Sequence, residues 1–392
     1  MKTGDQTLVK QINKSIVLST IEKKSPISRA QISKETGLNK ATVSNLVSDL
    51  IADELVNELG QGQSSGGRKP VMLYFNTHAG YAIGLDLGVN YILAVLTELS
   101  GEIVEEISVP LSGKDAEHVI QTLSSLVSTL IGKAPQSPYG VVGIGIGAPG
   151  IVDPEGHILF TPYLELSEVN LKQILEEKFN IPTVIDNEAN TGALGEHLYG
   201  AGKNAINLIY VSVGIGIGTG IIMNGQLYKG ATGISGEMGH LTIEVNGRKC
   251  SCGNRGCWEL YASESALLKE AKKMELFKKD DSITLESIES EAKKGNKDVL
   301  RLLHSIGEYN GIGLANIINT FNPDMLIIGN RMARFENWIT NPIKSVLDER
   351  LSSFHRNSVN LKISSLGKYS NALGASAIVS SRFLDINRVE VI

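Results

Sequence analysis

The three cysteines of this chain lie in one short segment with a histidine, and this cluster constrains the fold more than any other feature. His240 is followed, after nine residues, by Cys250, Cys252 and Cys257, and the 392 residues include no other cysteine. One imidazole and three thiolates complete a tetrahedral zinc site with no position for water, which is typical of structural sites. The intervening glycines allow the chain to wrap around an ion. We therefore predict a structural Zn²⁺ at His240, Cys250, Cys252 and Cys257, in preference to a chance cluster of small buried residues.

The composition is that of an ordinary globular protein, with 42% apolar and 20% charged residues. Because the metal site uses all three cysteines, none is left for a disulfide framework, and we expect a reducing, cytoplasmic location. The most apolar run, residues 139–152, is too short to span a bilayer and is broken by glycines and a proline. We expect no membrane role.

Charge is distributed unevenly along the chain. Residues 1–75 hold ten Lys and Arg against seven Asp and Glu, whereas the whole chain has a net charge of −5. The N-terminal segment is therefore basic and the remainder acidic. This asymmetry favours contact between a polyanion and the N-terminal segment alone.

Residues 1–76, which we call the head, carry the pattern of three short helices. The first is predicted from about Thr7 to Lys23, with Ile12, Ile16 and Ile21 on its apolar face. The second opens with a capping box at Ser28 and Gln31 and ends at a glycine. The third begins after Asn39 and has an apolar stripe at helical spacing, formed by Val43, Leu46, Val47, Leu50 and Ile51.

The other face of the third helix carries short hydrogen-bonding side chains and few acids. A helix, a tight turn and a second helix form the geometry that places the second helix in the major groove of DNA. The residues that we predict to contact DNA from these helices are Ser28, Arg29, Asn39, Lys40, Thr42, Ser44 and Asn45.

A strand–loop–strand pattern follows, with strands at residues 55–59 and 71–75. The loop between them contains Gly66, Gly67, Arg68 and Lys69, a segment that can lie in a narrow minor groove with its arginine inserted toward A·T pairs. Together with the helices, this predicts a winged helix-turn-helix that binds double-stranded DNA. The alternative is a three-helix protein-interaction module with a solvated loop.

From residue 80 onward the sequence consists of strands punctuated by glycines. Strands are predicted at residues 81–87, at 91–97, from the turn at Gly101 through Val109, and at 141–147. A helix is predicted near residues 115–131. A related pattern recurs as a strand at 208–213, a glycine turn at 214–220, a strand at 221–223 and a hairpin turn at Asn224-Gly225. Two similar halves of this kind predict an α/β body with the two-lobed actin-like, ribonuclease-H-like fold of sugar kinases.

Five motifs make the body similar to the ROK family of repressors and sugar kinases. They are Gly145-Ile-Gly-Ala-Pro-Gly150, Asp186-Asn-Glu-Ala-Asn190, Gly216-Ile-Gly-Thr-Gly220, Glu237-Met-Gly-His240 and the segment Cys250–Glu259. The head and its loop resemble the repressor branch, most closely the xylose-responsive members of Gram-positive bacteria. The resemblance implies a head at 1–76, a first lobe at 80–187 with a helix near 370–385 packed back on it, and a second lobe at 188–369 with the zinc site.

The resemblance also implies a sugar site. In family kinases the sugar is held at positions that correspond to Asn187, Glu237, His240 and Glu259, and Glu188 occupies the place of the catalytic Asp. Amides and carboxylates suit paired sugar hydroxyls, and a histidine can serve a metal through one nitrogen and a ligand through the other. The alternative for Glu237 and Glu259 is support of the zinc site without ligand contact.

Three kinase positions are altered. Glu188 is one methylene longer than the family's Asp, Val89 replaces a phosphate-loop glycine, and Asn330 replaces the second glycine of an adenine-side pair. We therefore expect a sensor and not an enzyme. The longer Glu188 side chain, extending to where the CH₂OH group of a hexose would lie, favours a pentose.

The resulting expectation is a sugar-responsive repressor, released from a palindromic operator by xylose, with glucose as a second candidate ligand. It would act as a homodimer or a larger homo-oligomer. The alternatives are an ATP-dependent sugar kinase with an accessory head, and a ROK repressor controlled by another sugar or by a protein partner. The charged segment 277–297 is predicted to be a solvated helical insert without an assigned function.

Overall fold

The structure is a computed structural model that describes residues 6–61, 70–167, 169–278 and 283–386. The head contains the three predicted helices and the two predicted strands in the predicted order, and a short strand before α2 that was not predicted. They are α1 (Gln6–Lys24), β1 (Ile27–Ser28), α2 (Arg29–Thr36), α3 (Lys40–Ala52), β2 (Val56–Gln61) and β3 (Val71–Phe75). The three strands form one antiparallel sheet in the order β1-β3-β2.

The helix ends of the head follow the predicted capping. The Ser28 hydroxyl and the Gln31 side chain form a capping box at the start of α2, and Gly37 ends that helix in the left-handed conformation with φ of 73°. The Asn39 side chain accepts a hydrogen bond from the backbone N–H of Thr42 and caps α3. These features were predictable because each depends on residues within four positions of one another.

The apolar face of α1 differs from the predicted one. Ile21 is buried, but Ile16 is 43% exposed, and Val17 and Leu18 are buried in its place. Helix α1 packs against both α2 and α3, so its contact surface is the stripe at positions i, i+1 and i+4.

The first lobe is built on a mixed five-stranded sheet in the order β10-β7-β4-β5-β6, in which β7 and β10 run parallel to β4. A short hairpin, β8–β9, projects from the end of β7. The elements are β4 (Tyr81–Leu87), β5 (Tyr91–Glu98), β6 (Ile103–Pro110), α4 (Ala116–Lys133), β7 (Val141–Ala148), β8 (Ile151–Val152), β9 (Ile158–Phe160), α5 (Leu171–Phe179) and β10 (Thr183–Asn187).

The second lobe repeats this plan with a sheet in the order β13-β12-β11-β14-β15. Its elements, with the last helix of the chain, are α6 (Glu188–Leu198), β11 (Leu208–Val213), β12 (Ile217–Met223), β13 (Gln226–Leu227), α7 (Glu259–Ala262), α8 (Glu264–Ala271), α9 (Leu285–Lys293), α10 (Lys297–Phe321), β14 (Met325–Gly329), α11 (Glu336–Arg350), α12 (Ser353–Ser358), β15 (Asn360–Ile363) and α13 (Ser370–Ile386). Two related mixed sheets with helices packed on them form the two-lobed actin-like body.

Two interpretations of the second lobe were wrong. The glycines of residues 216–220 lie mostly in β12 and not in a turn. A Cβ on Gly220 would lie 2.2 Å from the Ala189 carbonyl of α6. Glycine is needed there for a close approach of helix and strand. The charged segment 277–297 is not merely a solvated insert, since Leu285 and Ile288 of α9 are buried in the core of this lobe.

Helix α13 connects all three parts of the molecule. It packs on β4, β7 and α6, and glycines permit this approach: a Cβ on Gly84 or Gly145 would lie 2.0 Å from a carbonyl of α13. Its last turns enter the head, where buried Leu384 packs in one cluster with Leu99 and the core of α1–α3. The hydrophobic core of the head therefore extends beyond residues 1–76. Among the described helices, none is long and apolar enough to cross a membrane.

Candidate functional site

A cleft of about 640 Å³ lies between the lobes and contains all five predicted sugar-binding residues. Asn187 and Glu188 lie at the junction of β10 and α6, while Glu237, His240 and Glu259 come from the second lobe. The residues at the altered kinase positions, among them Val89 and Asn330, line the same cleft.

The orientation of the Asn187 side chain is fixed by two hydrogen bonds. Its Oδ1 atom accepts from the backbone N–H of Ala189 at 2.7 Å, which caps α6, and its Nδ2 atom donates to the Gly150 carbonyl at 2.6 Å. A primary amide has a second N–H and a second lone pair. One donor and one acceptor therefore remain for a ligand in the cleft.

Asp186 holds this junction in place, a role that the sequence did not reveal. Its Oδ1 atom accepts hydrogen bonds from the backbone N–H of Asn187 and the side chain of Asn190, at 2.8 and 2.9 Å. Its Oδ2 atom pairs with Lys229 Nζ at 2.5 Å. Because Lys229 follows β13 in the second lobe, this ion pair joins the two lobes next to the predicted sugar-binding residue Asn187.

Glu188 is neutral over much of the physiological pH range. Burial, with a smaller contribution from the nearby Asp86 carboxylate, raises the pKa of Glu188 to about 8. Burial also raises the pKa of Asp86, to about 6, although hydrogen bonds from the Tyr91 hydroxyl and the Asn371 amide oppose the shift. Around pH 7, protonated Glu188 is a hydrogen-bond donor and a poor general base.

A Glu188→Gln variant tests this protonation state. A carboxyl with a raised pKa stabilises the fold fully below its unfolded-state value, near 4.5, and loses that contribution as the pH rises toward about 8. The unfolding free energy of the variant minus that of the parent is expected to increase by about 1–3 kcal/mol as the pH rises from 5 to 8. Urea unfolding at both pH values measures the difference. Parallel pH profiles for the two proteins would contradict it, and Glu105→Gln, at an exposed ion pair, is the control.

The distances within the Cys₃His cluster match a tetrahedral metal site. The sulfur atoms of Cys252 and Cys257 are 3.7 Å apart, and Cys250 Sγ lies 3.6 Å from His240 Nδ1. A tetrahedron with metal–sulfur bonds of about 2.3 Å has edges of about 3.8 Å. All four potential ligand atoms lie within 4.8 Å of one another. The residues present therefore fit a four-coordinate ion.

His240 joins this cluster to the cleft. Its Nδ1 atom faces the cluster, 3.5 Å from Glu259 Oε1, whereas its Nε2 atom lies 3.9 Å from Glu237 Oε2 on the cleft side. Glu259 also approaches the Cys250 sulfur, at 3.3 Å. Each glutamate thus lies near a different nitrogen atom of the histidine. The position of this one imidazole therefore affects both the Cys₃His cluster and the cleft.

The altered kinase positions are filled by side chains. Asn330 keeps a glycine-like backbone, with φ of 66° and ψ of −165°, and its Nδ2 atom donates to the Ser212 hydroxyl at 2.9 Å. This side chain fills the space above Gly214, where an added Cβ would lie 2.9 Å from it. Val89 is buried, and the Tyr91 ring covers Gly88. The part of the cleft near β14 is therefore narrower than a run of glycines would leave it.

The predicted DNA-contact residues fall into four groups. Asn39, Lys40, Thr42, Ser44 and Asn45 lie on the exposed or half-buried face of α3. Ser28 is buried and its hydroxyl is engaged in capping, so it positions α2 and does not present a contact surface. Arg29 forms an ion pair with Glu58 of β2 at 2.6 Å. The remaining four, Gly66, Gly67, Arg68 and Lys69, lie outside the described residues.

Comparison with known proteins gives a family match over the body and a relative that matches nearly the whole chain. The sequence profile of the ROK family matches residues 82–382. The xylose repressor of Bacillus spizizenii is 49% identical, over 98% of this chain and 99% of its own length.

Solved structures match different shares of the chain. The crystal structure of a ROK family transcriptional regulator, a homolog of the E. coli MLC protein, superposes with a TM-score of 0.82 and 27% identity, over 96% of this chain and 97% of the other. A ROK family glucokinase from Streptomyces griseus, in complex with glucose and AMPPNP, has a TM-score of 0.69 and 28% identity. It covers 76% of this chain and 99% of its own, so an enzyme of the family corresponds to only part of the chain.

Proposed function

The chain belongs to the ROK family, and from this premise we propose that it is a transcriptional repressor released from its operator by xylose. The observation that carries the proposal is the set of residues that line the cleft. All five predicted sugar-binding residues are present there, and side chains occupy the positions where family kinases have glycines. The chain also aligns over 98% of its length with a xylose repressor. The protein is a regulator and not an enzyme.

Sugar recognition is assigned to the five residues around His240 and Asn187. The free donor and acceptor of the Asn187 amide, the Glu237 and Glu259 carboxylates and His240 Nε2 pair with adjacent hydroxyls of the sugar. Glu188 lies beside them as a neutral donor, and its length limits the space for a sixth carbon. This arrangement favours a pentose over a hexose.

The Cys₃His cluster is assigned to Zn²⁺, held by His240, Cys250, Cys252 and Cys257. Three thiolates and one imidazole at tetrahedral distances are the preferred ligands of that ion. When bound, the ion would hold the segment from His240 to Cys257 in place and would have a structural role alone. The residues of the chain do the rest, because fixing Nδ1 of His240 turns Nε2 toward the ligand.

DNA binding is assigned to two heads of a homodimer or larger assembly on a palindromic operator. The exposed face of α3 enters successive major grooves, and Arg68 and Lys69 contact the minor groove. Sugar closes the lobes around α6, and α13, which packs on α6 and ends in the head, carries the change to the heads. Couplings of this kind typically amount to about 1–3 kcal/mol, which corresponds to 5- to 150-fold in affinity.

Fluorescence anisotropy with a labelled operator tests the proposal. Xylose is expected to weaken operator binding by about 5- to 150-fold, and operator DNA must weaken xylose binding by the same factor. A Glu188→Asp variant is expected to shift preference toward glucose. Failure of pentoses and hexoses alike to change operator affinity would exclude induction by a free sugar. Release of ADP from ATP in the presence of xylose or glucose would instead indicate the kinase.

A further inference from the structure

The mouth of the cleft carries aromatic side chains that the sugar-binding set does not use. Phe160 ends β9 and is 52% exposed, and Tyr163 follows it and is 49% exposed. Both line the cleft together with Pro162, and we call these three residues the aromatic wall. Among the described side chains, none stacks a ring on Phe160. The Lys114 ammonium lies 6.0 Å from the Tyr163 ring.

The aromatic wall is continuous with the sugar-binding residues. Phe160 pairs with Ile151 in the β8–β9 hairpin, and its carbonyl would lie 2.0 Å from a Cβ on Gly150. The Gly150 carbonyl in turn accepts the hydrogen bond from Asn187 that fixes the amide. The main chain of Phe160 therefore packs on Gly150, and the Gly150 carbonyl binds Asn187. The Phe160 side chain takes no part in these contacts.

The cleft is larger than one pentose requires. A pentose has ten non-hydrogen atoms and displaces roughly five or six water molecules of about 30 Å³ each, whereas the cleft measures about 640 Å³. The second lobe adds the exposed side chains of Lys249 and Ser251 to the same cavity. The cleft is therefore bordered by an apolar surface from the first lobe and by these polar groups from the second.

We propose that the aromatic wall is a second sugar subsite, so that the sensor also takes a β-linked disaccharide of the pentose. A pyranose ring has an apolar face of C–H groups and an edge of hydroxyls. It can therefore stack on Phe160 and Tyr163 while its edge hydrogen-bonds to Lys249 and Ser251. The inference rests on the proposed function, since the first ring occupies the sugar site at Asn187 and His240.

Calorimetric titration of the full-length, zinc-loaded protein with xylose and with xylobiose tests this subsite. Xylobiose is expected to bind at least tenfold more tightly than xylose. Phe160→Ala is expected to weaken xylobiose binding about fivefold or more and to change xylose binding by less than about twofold. The matched control is Leu159→Ala, because Leu159 is equally exposed on the same strand but does not line the cleft.

The possible outcomes separate the two proposals. If xylose binds but xylobiose binds no more tightly, or if Phe160→Ala weakens both sugars equally, the second subsite is excluded and the proposed function stands. If neither sugar binds, both proposals fail. Equal losses in the Leu159 and Phe160 variants would attribute the effect to the hairpin as a whole and would also exclude the subsite.

Discussion

A Cys257→Ser variant is expected to lose bound zinc, sugar affinity and several kcal/mol of folding stability together. Cys257 is fully buried and adjoins Trp258, a fully buried side chain in the core of the second lobe. Structural zinc sites contribute about 10–16 kcal/mol to folding in small peptides, and a fraction of this suffices to release the loop. Since His240 and Glu259 depend on the same loop for their positions, xylose affinity should fall by at least about a hundredfold.

Metal content, chemical denaturation and calorimetry with xylose are the measurements for this variant. Ser251→Ala is the matched control, because Ser251 is exposed between Cys250 and Cys252 and is not one of the four potential metal ligands. The control should keep one zinc per chain and the parental affinity for xylose, which occupies only the first sugar site. A Cys257→Ser protein that lacks zinc but binds xylose normally would show that the cluster is a staple independent of the sensor.

The second large effect is expected at Glu196, a fully buried carboxylate near the end of α6. Its oxygens accept hydrogen bonds from the hydroxyls of Ser364 and Ser370 and from the backbone N–H groups of Ala201 and Leu366. No cation pairs with it among the described residues. Glu196→Ala leaves the buried Ser370 hydroxyl and three half-buried donors without an acceptor, and we expect it to cost about 3–5 kcal/mol of unfolding free energy.

This network joins the end of α6 to the segment that leads into α13. A milder Glu196→Gln variant, which keeps the volume of the side chain, should fold and yet show a reduced effect of xylose on operator affinity. Denaturant unfolding and operator anisotropy measure the two effects. Glu105→Gln, which removes an exposed partner of Lys133, should change stability by less than about 1 kcal/mol. A response to xylose identical to that of the parent would separate Glu196 from signal transmission.

Features set by neighbouring residues could be predicted from the sequence, and features set by distant partners could not. The capping box at Ser28, the left-handed Gly37 and the turn at Asn224-Gly225 depend on a few consecutive residues, and the structure contains each of them. Gly220 was misinterpreted because a glycine can serve a turn or a close contact, and only the position of α6 decides between them.

The same distinction applies to the site. The motifs with His240 and Asn187 identified residues that the structure places in one cleft. The roles of Asp186 and Glu196 could not be deduced, because their partners Lys229 and Ser370 are remote in sequence. A buried carboxylate and a solvated one have the same letter in a sequence, and only the surrounding donors distinguish them.

The entry of α13 into the head has a consequence for the order in which the protein becomes functional. A ribosome makes α1–α3 before the two lobes, yet the core of the head includes Leu384, which follows the second lobe in the sequence. Domains normally fold in the order of their synthesis. Here the head completes its core only after both lobes have been synthesised. A prematurely terminated product, even one that retains every residue of α1–α3, would therefore not supply a finished head to compete with the intact protein.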